Sequence, residues 1–317
     1  MTIAEVQEKI REIKRERGIC VLAHSYQARE ILEVADYTGD SYKLSVAAAE
    51  DKKSIAIMCG VRFMAETVKL LSPEKTVFLA NADAGCPMAD GLSADRLRAA
   101  KEKYPGSPVV CYINTTAEVK ALSDVCVTSS SAVAIIRAMP ESEILFVPDC
   151  NLGAYVADSL PEKTVHLING GCPIHAAVSG ADVAAARRAH PGALLLVHPE
   201  CVPDVTRAAD YVGSTSGIYD YAVKSDKKEF IIGTEVSIAE HLQYACPDKK
   251  FYPLTKKLMC HNMKLTTLMD LYHCLVAASG GSDGGGEQIT IEPSLMTDAR
   301  RCIDEMIRLG EKGKDNK

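Results

Sequence analysis

Short apolar runs alternate along this chain with stretches whose apolar residues recur every three or four positions. Runs at residues 20–23, 54–58 and 76–80 read as strands, and residues 28–35 and 63–71 as helices. The alternation returns twice, with strands expected at 109–113, 143–147 and 164–168 and again at 194–197, 229–232 and 250–252. Strands that alternate with helices predict parallel sheets with helices outside them. Between the first two strands of each set lies a short extended piece ending in Gly39-Asp40-Ser41, Thr128-Ser129-Ser130 or Gly213-Ser214-Thr215. Ile3, Val6, Ile10 and Ile13 share one helical face ahead of Gly18, which predicts an N-terminal helix stopped by that glycine. Residues 265–278 read as a helix, 279–286 as a glycine-rich loop, 289–291 as a strand, 297–309 as a closing helix and 311–317 as a frayed end.

The return is a sequence repeat. Cys86, Cys172 and Cys260 are separated by 86 and 88 residues, and each follows a strand and a few turn residues. His24, Tyr112 and His198 are separated by 88 and 86, as are Tyr26, Asn114 and Glu200 two residues later, Asp36, Asp124 and Asp210, and Ser41, Ser129 and Thr215. Internal repetition decides architecture before composition does. The expected fold is α/β: three similar three-layer αβα units around a pseudo-threefold axis, each with a short parallel sheet. The expected divisions are an N-terminal helix at 1–18, repeats at 19–105, 106–191 and 192–278, and a glycine-rich loop with a C-terminal helix at 279–317. Turn-rich Pro105-Gly106-Ser107-Pro108 and His190-Pro191-Gly192 mark the repeat boundaries.

Composition narrows the function. Apolar residues at 47% and charged ones at 25% are ordinary globular values, while a net charge of -6 without a basic stripe excludes nucleic acid as a partner. Residues 1–18 are charged throughout and lack the apolar core of a signal peptide, and no apolar run approaches the ~18 residues of a membrane span. The expectation is a cytoplasmic protein with no membrane partner. Twelve cysteines in that setting point to metal binding or catalysis for some and to buried, inert thiols for most.

Ligands of parallel α/β sheets gather beyond the carboxyl ends of the strands. The repeated polar positions are all expected at such ends, facing one central cavity. Three repeated thiols leave a tetrahedral or cubane site one ligand short, as catalytic sites are. Close CxxC pairs, which zinc favours, are absent. A 4Fe-4S cluster on Cys86, Cys172 and Cys260, with one iron open to substrate, is the expectation. Cys59 and Cys150 resemble a further repeated pair and are assigned to structure, with Thr234 near the corresponding place in the third unit. The Ser and Thr positions precede helix-like segments, where free N–H groups favour anions; each taken singly reads as an ordinary N-cap, and three equivalent ones facing one cavity point to a substrate with several carboxylates or a phosphate. His24, His198 and Glu200 supply proton-transfer groups. No repeated position is read as a lysine. Glu200, close to three thiolates, is expected to have its pKa raised, and with Tyr26 and His24 it is the expected catalytic set.

These residues resemble the quinolinate synthase family, an iron-sulfur enzyme family of de novo NAD biosynthesis. The likeness runs through His24-Ser25-Tyr26-Gln27, Gly39-Asp40-Ser41, Met58-Cys59-Gly60-Val61-Arg62-Phe63, Ala84 to Asp90, Tyr112-Ile113-Asn114, His198-Pro199-Glu200-Cys201, Gly213-Ser214-Thr215 and Asn262-Met263-Lys264. It implies condensation of iminoaspartate with dihydroxyacetone phosphate to quinolinate, with loss of phosphate and water. It implies cluster ligands at Cys86, Cys172 and Cys260. It also implies substrate or acid-base positions at His24, Tyr26, Ser41, Tyr112, Asn114, Ser129, His175, His198, Glu200 and Thr215. An aspartate-oxidising enzyme is the implied source of iminoaspartate. Two departures stand out: His261 where the family has proline, and a longer glycine-rich stretch at 279–286. A different open-iron hydro-lyase acting on a small polycarboxylate, or a cluster-based redox sensor without turnover, are the other readings of the same residues.

Overall fold

The protein is described from a computed structural model covering residues 1–281 and 284–315, with side chains described as far as Gly310. Ser282 and Asp283 in the glycine-rich stretch, and Asn316 and Lys317 in the expected frayed end, lie outside the described residues. The strands are β1 (Ile19–His24), β2 (Tyr37–Gly39), β3 (Ile55–Cys59), β4 (Thr76–Leu79), β5 (Val109–Tyr112), β6 (Val125–Val127) and β7 (Glu143–Val147). They continue as β8 (Thr164–Leu167), β9 (Leu194–Val197), β10 (Tyr211–Val212), β11 (Glu229–Gly233), β12 (Lys250–Pro253) and β13 (Glu287–Gln288).

Three sheets share one order: β2-β1-β3-β4, β6-β5-β7-β8 and β10-β9-β11-β12. Their strands are all parallel, and β13 adds one antiparallel strand beside β4. The short extended pieces foreseen from sequence are β2, β6 and β10, which form an edge of each sheet. Order reverses between the first and third strands of each repeat, which is where doubly wound sheets open a crevice at their carboxyl ends. The chain divides into two compact units, Met1–Cys86 with Cys260–Met296, and Pro87–Met259 with Thr297–Lys317. The first carries one sheet and the second carries the other two.

In the first unit the N-terminal helix Ile3–Arg17 begins with a Thr2–Glu5 capping box and ends at Gly18, whose φ of 60° is left-handed. Val6 and Ile10 are buried with Leu271 and Leu275 of the helix Leu268–Ala278, against β1 and β3. Each such side chain removed from water contributes about 1.5–3 kcal/mol. Ile3, counted on the same face, is exposed. In the second unit Val183, Leu195, Val197, Ile231 and Leu258 form a corresponding core around the third sheet.

The repeat also accounts for residues that hold the sheets together. Asp36, Asp124 and Asp210 do not face a cavity. Each accepts a backbone N–H, from Val21 at 2.8 Å, Val109 at 2.7 Å and Leu195 at 2.7 Å, and its own N–H returns a bond to the same residue's carbonyl. They fasten the edge strand to its neighbour, because a carboxylate there satisfies a ladder donor that a short edge strand leaves unpaired. A repeated lysine does exist: Lys75, Lys163 and Lys249 keep the intervals of 88 and 86. Lys163 Nζ donates to the carbonyls of Met139 and Glu141 at 2.7 Å, and Lys249 Nζ to those of Ala222, Val223 and Ser225 at 2.7–2.9 Å. Lys75 donates likewise to Asp51 and Lys53. These carbonyls lie at or just past the ends of the helices Ser41–Glu50, Ala132–Ala138 and Thr215–Lys224, where a cation meets the negative end of the dipole.

Several boundaries differ from expectation. The helix foreseen at 28–35 is one turn, Arg29–Leu32. The last strand lies at Glu287–Gln288 rather than 289–291, paired with Leu79 and Phe78 of β4, and Glu287 accepts two hydrogen bonds from the Arg62 guanidinium. The closing helix is Pro293–Asp315, longer than foreseen because Pro293 starts it well, and its backbone stays helical to Asp315. Among the described residues no helix is long and apolar enough to cross a membrane.

Candidate active site

In the second unit, turns at strand ends bring Tyr112, Cys172, His175, His198 and Glu200 together. After β9 the chain makes a tight turn in which the Cys201 N–H donates to the His198 carbonyl at 3.0 Å and the Glu200 N–H donates to His198 Nδ1 at 3.3 Å. Because Nδ1 accepts, a neutral His198 carries its proton on Nε2. The Glu200 carboxylate then turns to the second repeat: its Oε2 lies 2.8 Å from His175 Nδ1, and the Tyr112 hydroxyl donates to it. His175 Nε2 is 3.1 Å from Thr234 Oγ1 and its Nδ1–H donates to Glu200; in the neutral ring the hydroxyl donates to Nε2, and in the imidazolium Nε2–H donates to the hydroxyl. Cys172 Sγ sits 3.2 Å from the same Nδ1. The rings of His175 and His198 stack with centroids 4.9 Å apart. His175, His198 and Glu200 are each 3% exposed, so this polar group is held out of bulk water.

Glu200 is the most strongly stabilised anion of the group. Burial opposes its ionisation, but the adjoining imidazoles of His198 and His175 and the hydrogen bonds from His175 and Tyr112 outweigh that and hold the carboxyl down at about 2. The expectation of a raised Glu200 pKa is corrected: it weighed the thiolates and missed the two imidazoles. The raised carboxyl is Asp149, pushed up to about 7 by burial and by the charge of Glu200. Asp149 Oδ1 accepts from the N–H groups of Asn151 and Leu152, and Oδ2 accepts from the Cys172 N–H at 2.9 Å. It therefore caps the helix Cys150–Ser159 and fixes the cysteine loop in one stroke.

The first unit repeats the turn with different side chains. The Gln27 N–H donates to the His24 carbonyl at 2.9 Å and the Tyr26 N–H to His24 Nδ1 at 3.1 Å, matching the bonds around His198. The two rings meet edge-on with centroids 4.4 Å apart. Gln27 Nε2 donates to the Met263 carbonyl at 2.7 Å and Lys264 Nζ to the Tyr26 carbonyl at 2.5 Å, which fastens the segment after Cys260 to the His24 turn. Asn81 Nδ2 donates to the Leu265 carbonyl at 3.1 Å, joining the loop that leads to Cys86 to that same segment. His261 is followed by a one-turn 3-10 helix, Asn262–Lys264.

Ser41 and Thr215 are the first residues of the helices Ser41–Glu50 and Thr215–Lys224, one position past the capping Asp40 and Ser214. Ser129 is not at a helix start. Its helix, Ala132–Ala138, is shorter, and Thr128, Ser130 and Ser131 bond among themselves in the turn ahead of it. Asn114 is partly buried in the loop after β5. The twelve cysteines divide by exposure: Cys86, Cys150, Cys172 and Cys260 are partly exposed and the rest are buried. The likeness between Cys59 and Cys150 does not survive the strand register, which pairs Cys59, the end of β3, with Val147 and Gly233 at the ends of β7 and β11.

Sequence reasoning passed over Asp149, and placed Thr234 only as the counterpart of Cys59 and Cys150, with no part for its hydroxyl. Asp149 shares the intervals of 88 and 86 with Val61 and Glu235, and both acids are fully buried beside helix starts. A scan for pairs as well as triples in register would have found them. Thr234 aligns with Gly60 and Pro148, so nothing in the repeat signals its hydroxyl.

Fold and side chains together define a class: an α/β protein of repeated parallel-sheet modules with a histidine, carboxylate and thiol site at the strand ends. The family profile described as "Quinolinate synthetase A protein" matches residues 8–308. The chain is 46% identical over 309 residues to a quinolinate synthase of Caldicellulosiruptor saccharolyticus, covering 98% of this chain and 100% of that protein. It is 48% identical over 302 residues to that of Alkaliphilus metalliredigens (95% and 97% covered) and 46% over 306 to that of Methanoregula boonei (96% and 99%). The chain belongs to the quinolinate synthase family.

Proposed function

We propose that the chain is a cytoplasmic quinolinate synthase that condenses iminoaspartate with dihydroxyacetone phosphate, losing phosphate and water, and that an aspartate-oxidising enzyme supplies the imine. The observation that carries this reading is the meeting of the Cys172 thiol, the His175 imidazole and the Glu200 carboxylate at the strand ends of a chain in this family.

A 4Fe-4S cluster fits the donor set. Cys86, Cys172 and Cys260 are partly exposed thiols in equivalent loops, each following the fourth strand of its repeat. Cys150, the other partly exposed thiol, begins a helix and falls outside that register. When bound, such a cluster supplies an iron with an open position, a Lewis acid for a hydroxyl or carboxylate. The protein's own groups supply the proton handling. Glu200, held ionised, accepts the proton that leaves carbon as the imine nitrogen gains one and the enamine forms, and the His175 Nδ1–H that faces it orients the carboxylate. His24 and Tyr26 serve the dehydration steps as donors. Carboxylates and phosphate bind Ser41 and Thr215 at their helix starts, with Ser129, Tyr112, Asn114 and His198 as further binding groups. The substrate carries its own amine, so no lysine imine is called for, and the repeated lysines are occupied in capping helices.

The test is anaerobic turnover. Protein reconstituted with iron and sulfide should form quinolinate from the two precursors together and from neither alone. Absence of product from fully reconstituted protein would sink the reading.

A further inference from the structure

A second group of sulfurs lies away from the strand-end site. Cys111, Cys126 and Cys302 place their three Sγ atoms within 4.8 Å of one another, with Cys111 and Cys302 3.9 Å apart. The fold brings them together for plain reasons. Cys111 of β5 and Cys126 of β6 are directly paired in a parallel ladder, so their side chains leave the same face of the sheet. Cys302 lies on the buried side of the helix Pro293–Asp315, with Ala299, Ile303 and Met306, and covers that face. All three are fully buried.

Buried cysteines are ordinary small hydrophobes when scattered. Here the spacing says otherwise. Three thiolates around one ion, with metal–sulfur bonds of about 2.3 Å, stand about 4 Å apart in a trigonal set, and the observed pair stands at 3.9 Å. Three thiolates with a divalent ion bury one net negative charge and with a monovalent ion two, and buried charge is costly, so the pocket favours the divalent ion.

We propose that Cys111, Cys126 and Cys302 form a structural site for one divalent thiophilic cation of the zinc type, which ties the C-terminal helix to the second sheet. Binding releases the thiol protons, so affinity rises with pH. The site shares no residue with the strand-end group and stands or falls independently of the proposed activity.

The experiment compares anaerobically prepared wild type with Cys302→Ala, each loaded with zinc, washed with chelator and assayed for zinc and iron. Wild type should retain one more zinc per chain than the variant, at equal iron content. Equal zinc in the two, or retention of Cu(I) but not of zinc by wild type, overturns the proposal. Should Cys302→Ala fail to fold, zinc-edge X-ray absorption on wild type decides. A shell of sulfur alone at about 2.3 Å, with iron content undisturbed, supports the site. A shell containing imidazole nitrogen, or zinc uptake matched by iron loss, assigns the metal to other residues and refutes it.

Discussion

At the scale of single residues, the site is arranged by which nitrogen of each histidine is already engaged. His198 receives a backbone N–H on Nδ1, whereas His175 gives its Nδ1–H to Glu200 and meets the Thr234 hydroxyl through Nε2. Glu200 is thereby kept ionised and aimed. Glu200→Gln removes the charge and keeps the shape, so it should retain iron and bind product analogues while losing about 100-fold or more in turnover, the scale of a positioned base. Turnover within a few-fold of wild type would make Glu200 a structural residue. Asp149 works through others: it receives three backbone N–H groups, one of them from Cys172. Asp149→Ala should lower stability by about 1–3 kcal/mol, the penalty for buried donors left without a partner, and lower iron retention with it. Thermal unfolding and iron content check this together; a variant with unchanged iron content would show that Asp149 does not hold the cysteine loop. Neither Asp149 nor Thr234 was legible as a site residue, since a strand-end acid with only one acidic mate in register looks like an ordinary helix cap.

At the scale of elements, the repeat made the sheets legible, because strand-sized apolar runs returned at intervals of 88 and 86. The same register misled where one repeated letter served a structural purpose. Asp36, Asp124 and Asp210 looked like cavity residues and instead hold strand N–H groups. Ser129 kept the register while its helix did not, for the second repeat's helix starts only at Ala132. The lysines went unnoticed because Lys75, Lys163 and Lys249 precede the fourth strands, where charge is commonplace. Lys249 closes the helix Thr215–Lys224 through three carbonyls. Lys249→Met keeps the stem and removes the donors, so it should cost about 1–3 kcal/mol in chemical unfolding while folded protein keeps its turnover. Stability equal to wild type would mean that water replaces the ammonium at no cost.

At the scale of the whole molecule, a short parallel sheet in each repeat is what the repeat predicted, the common strand order and the antiparallel β13 are what the structure adds, and family membership follows from a match over nearly the full chain. The proposed cluster was read from the sequence as a common partner for three thiols that keep one register. Exposure adds what sequence cannot hold: it separates Cys86, Cys172 and Cys260 from the buried cysteines but leaves Cys150 among them. The central claim is that the three repeated cysteines hold the cluster on which quinolinate formation depends. Iron and acid-labile sulfide, measured in anaerobically reconstituted Cys86→Ala, Cys172→Ala, Cys260→Ala, Cys59→Ala and Cys150→Ala proteins, test it most directly. The account predicts loss of both from each of the first three and wild-type content in the last two. Full cluster content in Cys172→Ala, or its loss from Cys150→Ala with folding intact, would contradict it.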